Sequence, residues 1–375
     1  MSAAYIVAAR RTAVAPRHGA FKAVEVAQLA EVPIRAVLDD VEMRPEAGDE
    51  VILGNALYGG GNPARVAALQ AGLPQIVPAI TVDSQCCAGL DAIMFAAERI
   101  AFGSAHAVIA GGVESFSRSP LRLRRPRHPD EPPEPYTRPP FTPWPERDPE
   151  MIAAAADLAQ AFGITRAAQE AFAIDSHRKA LAHIAGAAEI ADVAGLQADA
   201  FARALAPSLC RRLPVLAGNP MHGVTSATVA VEADAAAVVL VVSETRLREL
   251  KCARPLRIIG AVRRGDDPTM PGTAPIAAAQ ALLQSHGIAA SDIVVAEIME
   301  AFAVQAMACI AGIGLATEAV NRGGGALARG HPIGASGAIL AVRLWHEMSN
   351  AKTGTKGLAA IAAAGGLGSA LLVAN

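Results

Sequence analysis

The hydrophobic pattern changes its period twice between residues 78 and 112, and this change strongly restricts the possible fold. "PAITV" (78–82) and "AVIAGG" (107–112) are runs of residues that favour β-strands. Between them, apolar side chains recur at helical spacing: Leu90, Ile93, Met94, Ala97, Ile100 and Ala101. The pattern predicts a strand, a loop, a helix that ends at Gly103, and a second strand, with Cys86 at the helix N-terminus.

Similar units recur in the second half of the chain. "GHPIGASGAILAVRLWHEM" (330–348) begins with glycines and continues as an apolar helical pattern, and "GLAAIAAAGGLGSALLVA" (357–374) has two β-prone runs around a Gly-Gly turn. "DEVILGN" (49–55) likewise has a counterpart in "DIVVAEIMEAF" (292–302). The sequence therefore predicts an internally duplicated α/β protein.

An insertion interrupts this scheme after residue 115. It contains a proline-dense stretch and the helix-like segment 166–184, and "TVAVEADAAAVVLVVSE" (228–244) then returns to strand and helix. We predict three units: a first half (residues 1–117 with 226–248), an inserted loop subdomain (118–225) and a second half (249–375).

The composition argues against two classes of protein, those that span a membrane and those that bind nucleic acid. The 375 residues are 52% hydrophobic and 18% charged, which allows a large core and surface burial against further copies of the chain. No uninterrupted apolar run reaches about 18 residues, so we expect no membrane span. A net charge of −2 gives no electrostatic reason to expect a nucleic-acid partner.

The adjacent cysteines Cys86 and Cys87 allow two interpretations. The positive end of a helix dipole favours a thiolate at Cys86, whereas a small buried side chain would need no such position. From spacing alone, the reactive and the inert interpretation are equally open. The five cysteines show no disulfide or zinc spacing, so we expect a reducing, cytoplasmic setting.

Two further segments have simple default interpretations. The glycine clusters "NRGGGALARGHPIG" (321–334) and "AAGGLGSA" (363–370) lack the strand, helix and acidic residue of a dinucleotide fingerprint, and we reject that site. The basic run "RSPLRLRRPRH" (118–128) is by default a solvated loop. The alternative is that some of its arginines contact a phosphorylated ligand or a neighbouring subunit.

Together, five segments resemble the thiolase family, acyl-CoA acyltransferases that make or cleave a carbon–carbon bond beside a thioester. They are "VDSQCCAGLDAI" (82–93), "AGGVESFSRSP" (110–120), "GGGALARGHPIGASGA" (323–338), "EVILGNALYGGGNPARVAALQAGLP" (50–74) and "GITRAAQEAFAIDSHRKA" (163–180). The resemblance implies a five-layered αβαβα arrangement of two similar halves, with the insert covering the active site. It also implies a coenzyme A thioester as substrate, no other cofactor and no metal, and a homodimer or homotetramer.

The resemblance assigns roles to individual positions. Cys86 takes the position of the nucleophile that is acylated, and Cys87 that of a packing residue. His331 takes the position of the histidine that activates the cysteine, which is reasonable because the thiolate is the attacking form. The backbone N–H groups of Cys86 and Ala364 correspond to one oxyanion hole.

Three further positions match family residues that line the acyl pocket: Met151, Ala301 and Phe302. For each of them, ordinary core packing explains the residue type equally well.

The sequence departs from the family at two positions. Ala362 replaces the second cysteine, which exchanges a proton with the α-carbon of the second substrate. Met299 replaces the asparagine of N-E-A-F, and its thioether cannot orient a water as an amide does. His222 and Cys309 are the candidates for a substitute base.

We therefore expect an acyl-CoA acyltransferase, similar to acetyl-CoA C-acyltransferases, that works through an acyl-Cys86 thioester and whose carbon–carbon chemistry is impaired or altered. One alternative is a thioesterase or heteroatom acyltransferase that keeps only the first half-reaction. The other is a degenerate paralogue that binds acyl-CoA without turnover.

Overall fold

A computed structural model of the chain describes residues 2–183, 185–349 and 351–375. Most of its strands belong to one extended sheet, and short pairs lie in the insertion. The strands are Ala4–Arg11 (β1), Ala15–Pro16 (β2), Glu50–Gly54 (β3), Ala79–Val82 (β4), Ala107–Ser115 (β5), Leu123–Arg124 (β6), Glu134–Pro135 (β7), Val215–Ala217 (β8), Val224–Thr225 (β9), Ala233–Ser243 (β10), Leu256–Gly265 (β11), Ile293–Ile298 (β12), Lys356–Ala363 (β13) and Leu367–Ala374 (β14).

The α-helices vary in length between 4 and 17 residues. They are Val26–Asp39 (α1), Pro63–Gln70 (α2), Ala88–Phe102 (α3), Met151–Ala161 (α4), Arg166–Ala182 (α5), Pro207–Cys210 (α6), Glu244–Leu247 (α7), Ala274–Ser285 (α8), Ala303–Ile313 (α9), Ala326–Arg329 (α10) and Ile333–Met348 (α11). Within the described ranges, no helix combines the length and the apolar character that crossing a bilayer requires.

The sheet consists of two similar parts. Its strand order is β4-β3-β5-β10-β1 in the first part and β11-β14-β13-β12 in the second. Among the described strands, the two parts are joined where residues 4–6 of β1 pair with residues 256–258 of β11. In the first part β3 runs parallel to both β4 and β5, and in the second β12 runs parallel to β13, whereas the other neighbouring strands run antiparallel.

Strand β10, in the first part of the sheet, is buried on both of its faces. All eleven of its residues are buried, and its sequence "ADAAAVVLVVS" is almost entirely apolar. Alternate residues such as Val239 and Val241 belong to the central core, whereas Val238 and Leu240 belong to the outer core. A continuous apolar run of this kind is typical of a strand that is covered by helices on both sides.

Among the described residues, the three largest hydrophobic cores lie between five layers of helices and sheet. Helices α1 and α2 cover the outer face of the first sheet part, and α8 and α9 cover the outer face of the second. Helices α3 and α11 lie between the two parts and supply most of the helical residues of the central core. This arrangement confirms the predicted α/β fold with five αβαβα layers, whereas the domain boundaries stay a prediction.

The strand–loop–helix–strand unit at residues 78–112 is confirmed. It forms β4, α3 and β5, and Gly103 ends α3 in the left-handed conformation, with φ of 83°. Glycine suits this position because it has no Cβ to clash there. The helix predicted for 166–184 is also present as α5 and is capped by the Thr165 side chain; residue 184 lies outside the described residues.

Buried ion pairs attach the insertion to the core. Arg11 of β1 is 1% exposed and contacts Glu189 at 2.7 Å and Asp199 at 2.6 Å. Arg343 of α11 also pairs with Glu189, and Arg329 of α10 pairs with Asp199. The Arg11 and Arg343 charges hold the pKa of Glu189 well below its usual range, despite the opposing effect of burial.

Candidate active site

Cys86 and His331 meet at the start of the two central helices. Cys86 lies in a single 3₁₀ turn directly before α3, and His331 precedes α11 by two residues. The Nε2 atom of His331 is 3.2 Å from the Cys86 Sγ atom. The two residues that the sequence predicts as nucleophile and base are therefore in hydrogen-bond contact.

The hydroxyl of Ser336 determines which nitrogen of His331 carries the proton. Ser336 Oγ donates a hydrogen bond to the carbonyl oxygen of Pro332 at 3.0 Å and lies 2.7 Å from His331 Nδ1. With the hydroxyl hydrogen directed to Pro332, the N–H of Nδ1 is the donor to Ser336. Nε2 is then unprotonated and free to accept the thiol proton.

Burial keeps both partners uncharged at rest. It lowers the pKa of His331 to about 4. It also raises the pKa of the Cys86 thiol to about 12, although hydrogen bonds from the backbone N–H groups of Cys86 and Ala364 act in the opposite direction. Desolvation thus opposes the preference for a thiolate that the helix N-terminus gives Cys86.

The backbone at Ala364 tolerates a side chain. Ala364 is not among the described non-glycine residues with a positive φ angle. The positive φ angles of this turn belong to the next two residues, Gly365 (79°) and Gly366 (76°). Ala364 keeps its N–H, which points to the Cys86 sulfur. A change from glycine to alanine at this position thus preserves the donor.

All six site residues predicted from the sequence line one cavity of about 200 Å³: Cys86, Met151, Ala301, Phe302, His331 and Ala364. Helix α4 and Phe141 of the insertion form one wall, with Ala154, Ala155 and Leu158 from the helix. Apart from Cys86 and His331, the polar side chains in the lining are Gln85 and Gln305. The cavity is thus an apolar space with the Cys86–His331 pair on its wall.

The two departures from the family pattern lie in different surroundings. Ala362, at the end of β13, lines the cavity. Met299 is 1% exposed and belongs to the central core, and its backbone N–H bonds to the carbonyl of Ala360. The Met299 side chain does not line the cavity and instead packs in the central core.

Neither candidate for a substitute base lines the cavity. Cys309 is fully buried behind the wall, with its Sγ atom 3.3 Å from the carbonyl oxygen of Gly272. Burial raises the pKa of Cys309 to about 12, which disfavours its thiolate. Within the described part of the chain, we find no side chain that takes over the position of the missing cysteine.

Two other sequence expectations concern packing and the basic loop. Cys87 is fully buried, with its Sγ 3.5 Å from the carbonyl oxygen of Ile361, which fits a packing residue. In the basic loop, Arg118 pairs with Glu25 at the surface and Arg124 with Glu134. Most of this loop is exposed, as its default interpretation predicts.

Comparisons with known proteins relate the whole chain to one family. The family model described as "Thiolase, N-terminal domain" matches residues 4–245, and "Thiolase, C-terminal domain" matches residues 254–375. The chain is 38% identical to YhfS of Bacillus subtilis (strain 168), over 98% of both chains. It is 36% identical to an acetyl-CoA acetyltransferase of Thiocystis violacea, again over 98% of both. The crystal structure of human mitochondrial 3-ketoacyl-CoA thiolase in complex with CoA superposes with a TM-score of 0.89 at 27% identity, covering 100% of this chain and 98% of the other.

Proposed function

Since the chain belongs to the thiolase family of acyl-CoA acyltransferases, we propose that it forms an acyl thioester on Cys86, with His331 as the base. The contact of 3.2 Å between His331 Nε2 and Cys86 Sγ carries this proposal. Ser336 supports it because its hydrogen bond leaves Nε2 ready to accept a proton. A general base must reach the proton it removes, and this pair meets that condition.

The proton moves from the thiol to the imidazole and then to the leaving group. As the Cys86 sulfur attacks the carbonyl carbon of the acyl-CoA, its proton passes to His331 Nε2. The negative charge on the carbonyl oxygen is stabilised by the N–H groups of Cys86 and Ala364. The carbon–sulfur bond to coenzyme A then breaks, and the coenzyme A sulfur takes the proton from His331. Acyl-Cys86 and free coenzyme A result.

Carbon–carbon bond formation is impaired or altered in this proposal. That step needs a base for the α-proton and stabilisation of the enolate, and the positions of Ala362 and Met299 supply neither. Losing a positioned base typically costs about 10²–10⁴-fold. Losing an oxyanion donor costs about 10²–10³-fold. Acylation of Cys86 uses neither group.

The apolar cavity is the proposed site of the acyl chain. Met151, Ala301 and Phe302 line it, next to the reacting sulfur. The proposed substrate is an acyl thioester of coenzyme A, with no further cofactor. A cytoplasmic, reducing setting is also proposed, because the mechanism requires Cys86 as a free thiol.

A heteroatom acceptor is the second candidate for the acyl group. His331 can remove a proton from water, a hydroxyl or a thiol in the same way as from Cys86, so one base serves both half-reactions. The absence of a second base in the described cavity lining favours this candidate. A paralogue that only binds acyl-CoA is disfavoured, because binding alone needs no oriented Cys86–His331 pair.

A homodimer or homotetramer is proposed from the free edge of the first sheet part. Strand β4 ends the sheet and pairs with β3 alone among the described strands. Ile76 and Phe102 beside it are each 88% exposed, and Ile80 of the strand itself is 39% exposed. Exposed edges of this kind favour pairing with another strand. Sedimentation velocity with Ile80→Lys as the variant tests this proposal.

Intact-protein mass spectrometry after brief incubation with acetyl-CoA, and then with longer acyl-CoAs, tests the proposed nucleophile. We expect the mass of one acyl group on the wild type and on Cys87→Ala, and none on Cys86→Ala. Release of coenzyme A is followed in parallel, since fast turnover would empty the thioester. Neither an adduct nor release with any acyl-CoA would contradict the proposal and favour the binding protein.

A further inference from the structure

Glu114 is a fully buried carboxylate near the Cys86–His331 pair. It lies at the end of β5 and is 0% exposed. Its Oε2 atom accepts hydrogen bonds from the backbone N–H groups of Ala56 at 3.0 Å and Gly334 at 2.9 Å. Its Oε1 atom accepts from Asn55 Nδ2 at 3.0 Å and from the Leu57 N–H at 3.3 Å. These donors come from two segments that are far apart in the sequence.

One of these donors belongs to the segment that carries His331. Gly334 lies in the first turn of α11, three residues after His331. The helix start rests directly on neighbouring backbone: a Cβ added to Gly112 would lie 2.0 Å from the Gly334 carbonyl oxygen, and one added to Gly89 would lie 2.7 Å from it. The carboxylate thus fastens the helix start at its positive end, where a negative charge is favoured.

Building on the proposed acyl transfer through Cys86, we propose that Glu114 is a positioning residue, whose carboxylate ties residues 55–57 to the first turn of α11 and so holds His331 against Cys86. Loss of the carboxylate lets this turn shift. A displacement of 1 Å in a reacting group can cost about 10²-fold in rate.

The ionisation of Glu114 makes the acylation rate depend on pH, which a role in packing alone would not do. Burial raises the pKa of Glu114 to about 7, although the N–H donors act against this. The charge of Asp83 also raises the pKa of Glu114, and the charge of Glu114 raises the pKa of Cys86; both residues lie on the segment before α3. Above pH 7 the carboxylate accepts all four bonds, and below it the added proton faces a donor. We therefore expect Cys86 acylation to accelerate as the pH rises through 7.

The test is the single-turnover rate of Cys86 acylation between about pH 6 and 8, for the wild type and Glu114→Gln. The glutamine keeps the shape but turns one oxygen into an NH₂ group that faces N–H donors. We expect a rate that rises with pH in the wild type, and a pH-independent rate in the variant that is about 10²-fold lower at the upper end.

Asp234→Asn is the matched control. Asp234 is also 0% exposed, lies on the adjacent strand β10 and accepts bonds from Ser115 and Ser117, and none of its described hydrogen bonds comes from α11. We expect this variant to keep the rise with pH. If the acylation rate of Glu114→Gln still rises with pH, the inference is overturned. A wild-type acylation rate that does not rise with pH overturns it as well, and this measurement holds even if the variant does not fold. No acylation of the wild type at any pH would instead contradict the proposed function.

Discussion

His331 Nε2 lies 3.2 Å from Cys86 Sγ although 245 positions separate the two residues in the sequence. Each residue lies two positions before one of the two helices of the central layer, α3 and α11. These helices pack against each other and against both parts of the sheet. The contact is therefore fixed by the core of the protein, as a precise reacting geometry requires.

Replacement of His331 tests its role as the base. We expect His331→Ala to slow acylation of Cys86 by about 10²–10⁴-fold, because the thiol, with its pKa raised to about 12, loses the group that takes its proton. Quenched-flow mass spectrometry measures this rate. His128→Ala, an exposed histidine of the basic loop, should behave like the wild type. Acylation of His331→Ala at the wild-type rate would assign the base to another group.

The sequence motifs located the proposed reacting pair but not its electrostatics. Cys86 and His331 could be predicted because their surrounding motifs are specific, and the five layers followed with the same resemblance. The neutral resting state could not be predicted, since it depends on desolvation in the assembled core. Likewise, the bond between Ser336 and His331 requires the first turn of α11 to be formed.

At Met299, the sequence suggested a role in the site, whereas the structure places the side chain in the core. From the sequence, its importance was inferred from the asparagine it replaces. In the structure its side chain is 1% exposed and fills the central core, where a thioether packs without needing a partner. Whether a position faces the cavity or the core depends on the three-dimensional arrangement of β12 and α9, which spacing alone does not give.

The depressed pKa of His331 predicts activity at unusually low pH. Its value of about 4, against 6.5 for the unperturbed side chain, keeps the imidazole able to accept a proton down to the acidic range. Acylation should therefore still be measurable at about pH 5.5 and disappear as the pH falls through 4. The check is the acylation rate in overlapping buffers. In Glu114→Gln, which lacks the change expected near pH 7, a loss of acylation centred on pH 6.5 would show that His331 has an ordinary pKa.

Glu189 tests the ion pairs that attach the insertion. It is 3% exposed and pairs with Arg11 and Arg343, so Glu189→Gln leaves two buried guanidinium groups with fewer counter-charges. We expect a loss of about 3–5 kcal/mol in the free energy of unfolding. Because the folded-state pKa of Glu189 is lowered, its stabilisation is complete above the unfolded value of 4.5 and is lost as the pH falls below that value.

Urea unfolding at neutral pH and at about pH 3 measures both effects of Glu189. The difference between the wild type and Glu189→Gln should become smaller at the lower pH. Glu232→Gln removes an exposed pair with Arg17 and should change the unfolding free energy by less than about 1 kcal/mol. Equal losses in the two variants would mean that burial does not strengthen the Glu189 pairs.

Ala362 tests the proposed limit on carbon–carbon chemistry. It lines the cavity together with Cys86, so Ala362→Cys places a thiol where a base can reach a bound acyl group. We expect slow thiolysis of acetoacetyl-CoA by the wild type and a gain of about 10-fold or more in the variant, because the added thiol supplies a base. Reductant prevents a disulfide with Cys86.

Ala362→Ser is the matched control, since its hydroxyl is similar in size and a much weaker base. It should leave thiolysis at the wild-type level. Wild-type thiolysis at ordinary enzyme rates, about 1–10³ s⁻¹, would refute our account of Ala362. In that case another group would have to exchange the α-proton.

The N–H of Ala364 gives the last prediction. It donates toward the Cys86 sulfur and follows the final residue of β13, so removing it breaks no bond of the strand ladder. Ala364→Pro removes this donor and should slow acylation by about 10²–10³-fold, the usual cost of one oxyanion donor. Ala364→Gly keeps the N–H and should acylate at nearly the wild-type rate. Thermal unfolding of both variants separates a lost donor from a disturbed turn. Equal acylation rates in two folded variants would remove Ala364 from the oxyanion hole and leave the Cys86 N–H as its identified donor.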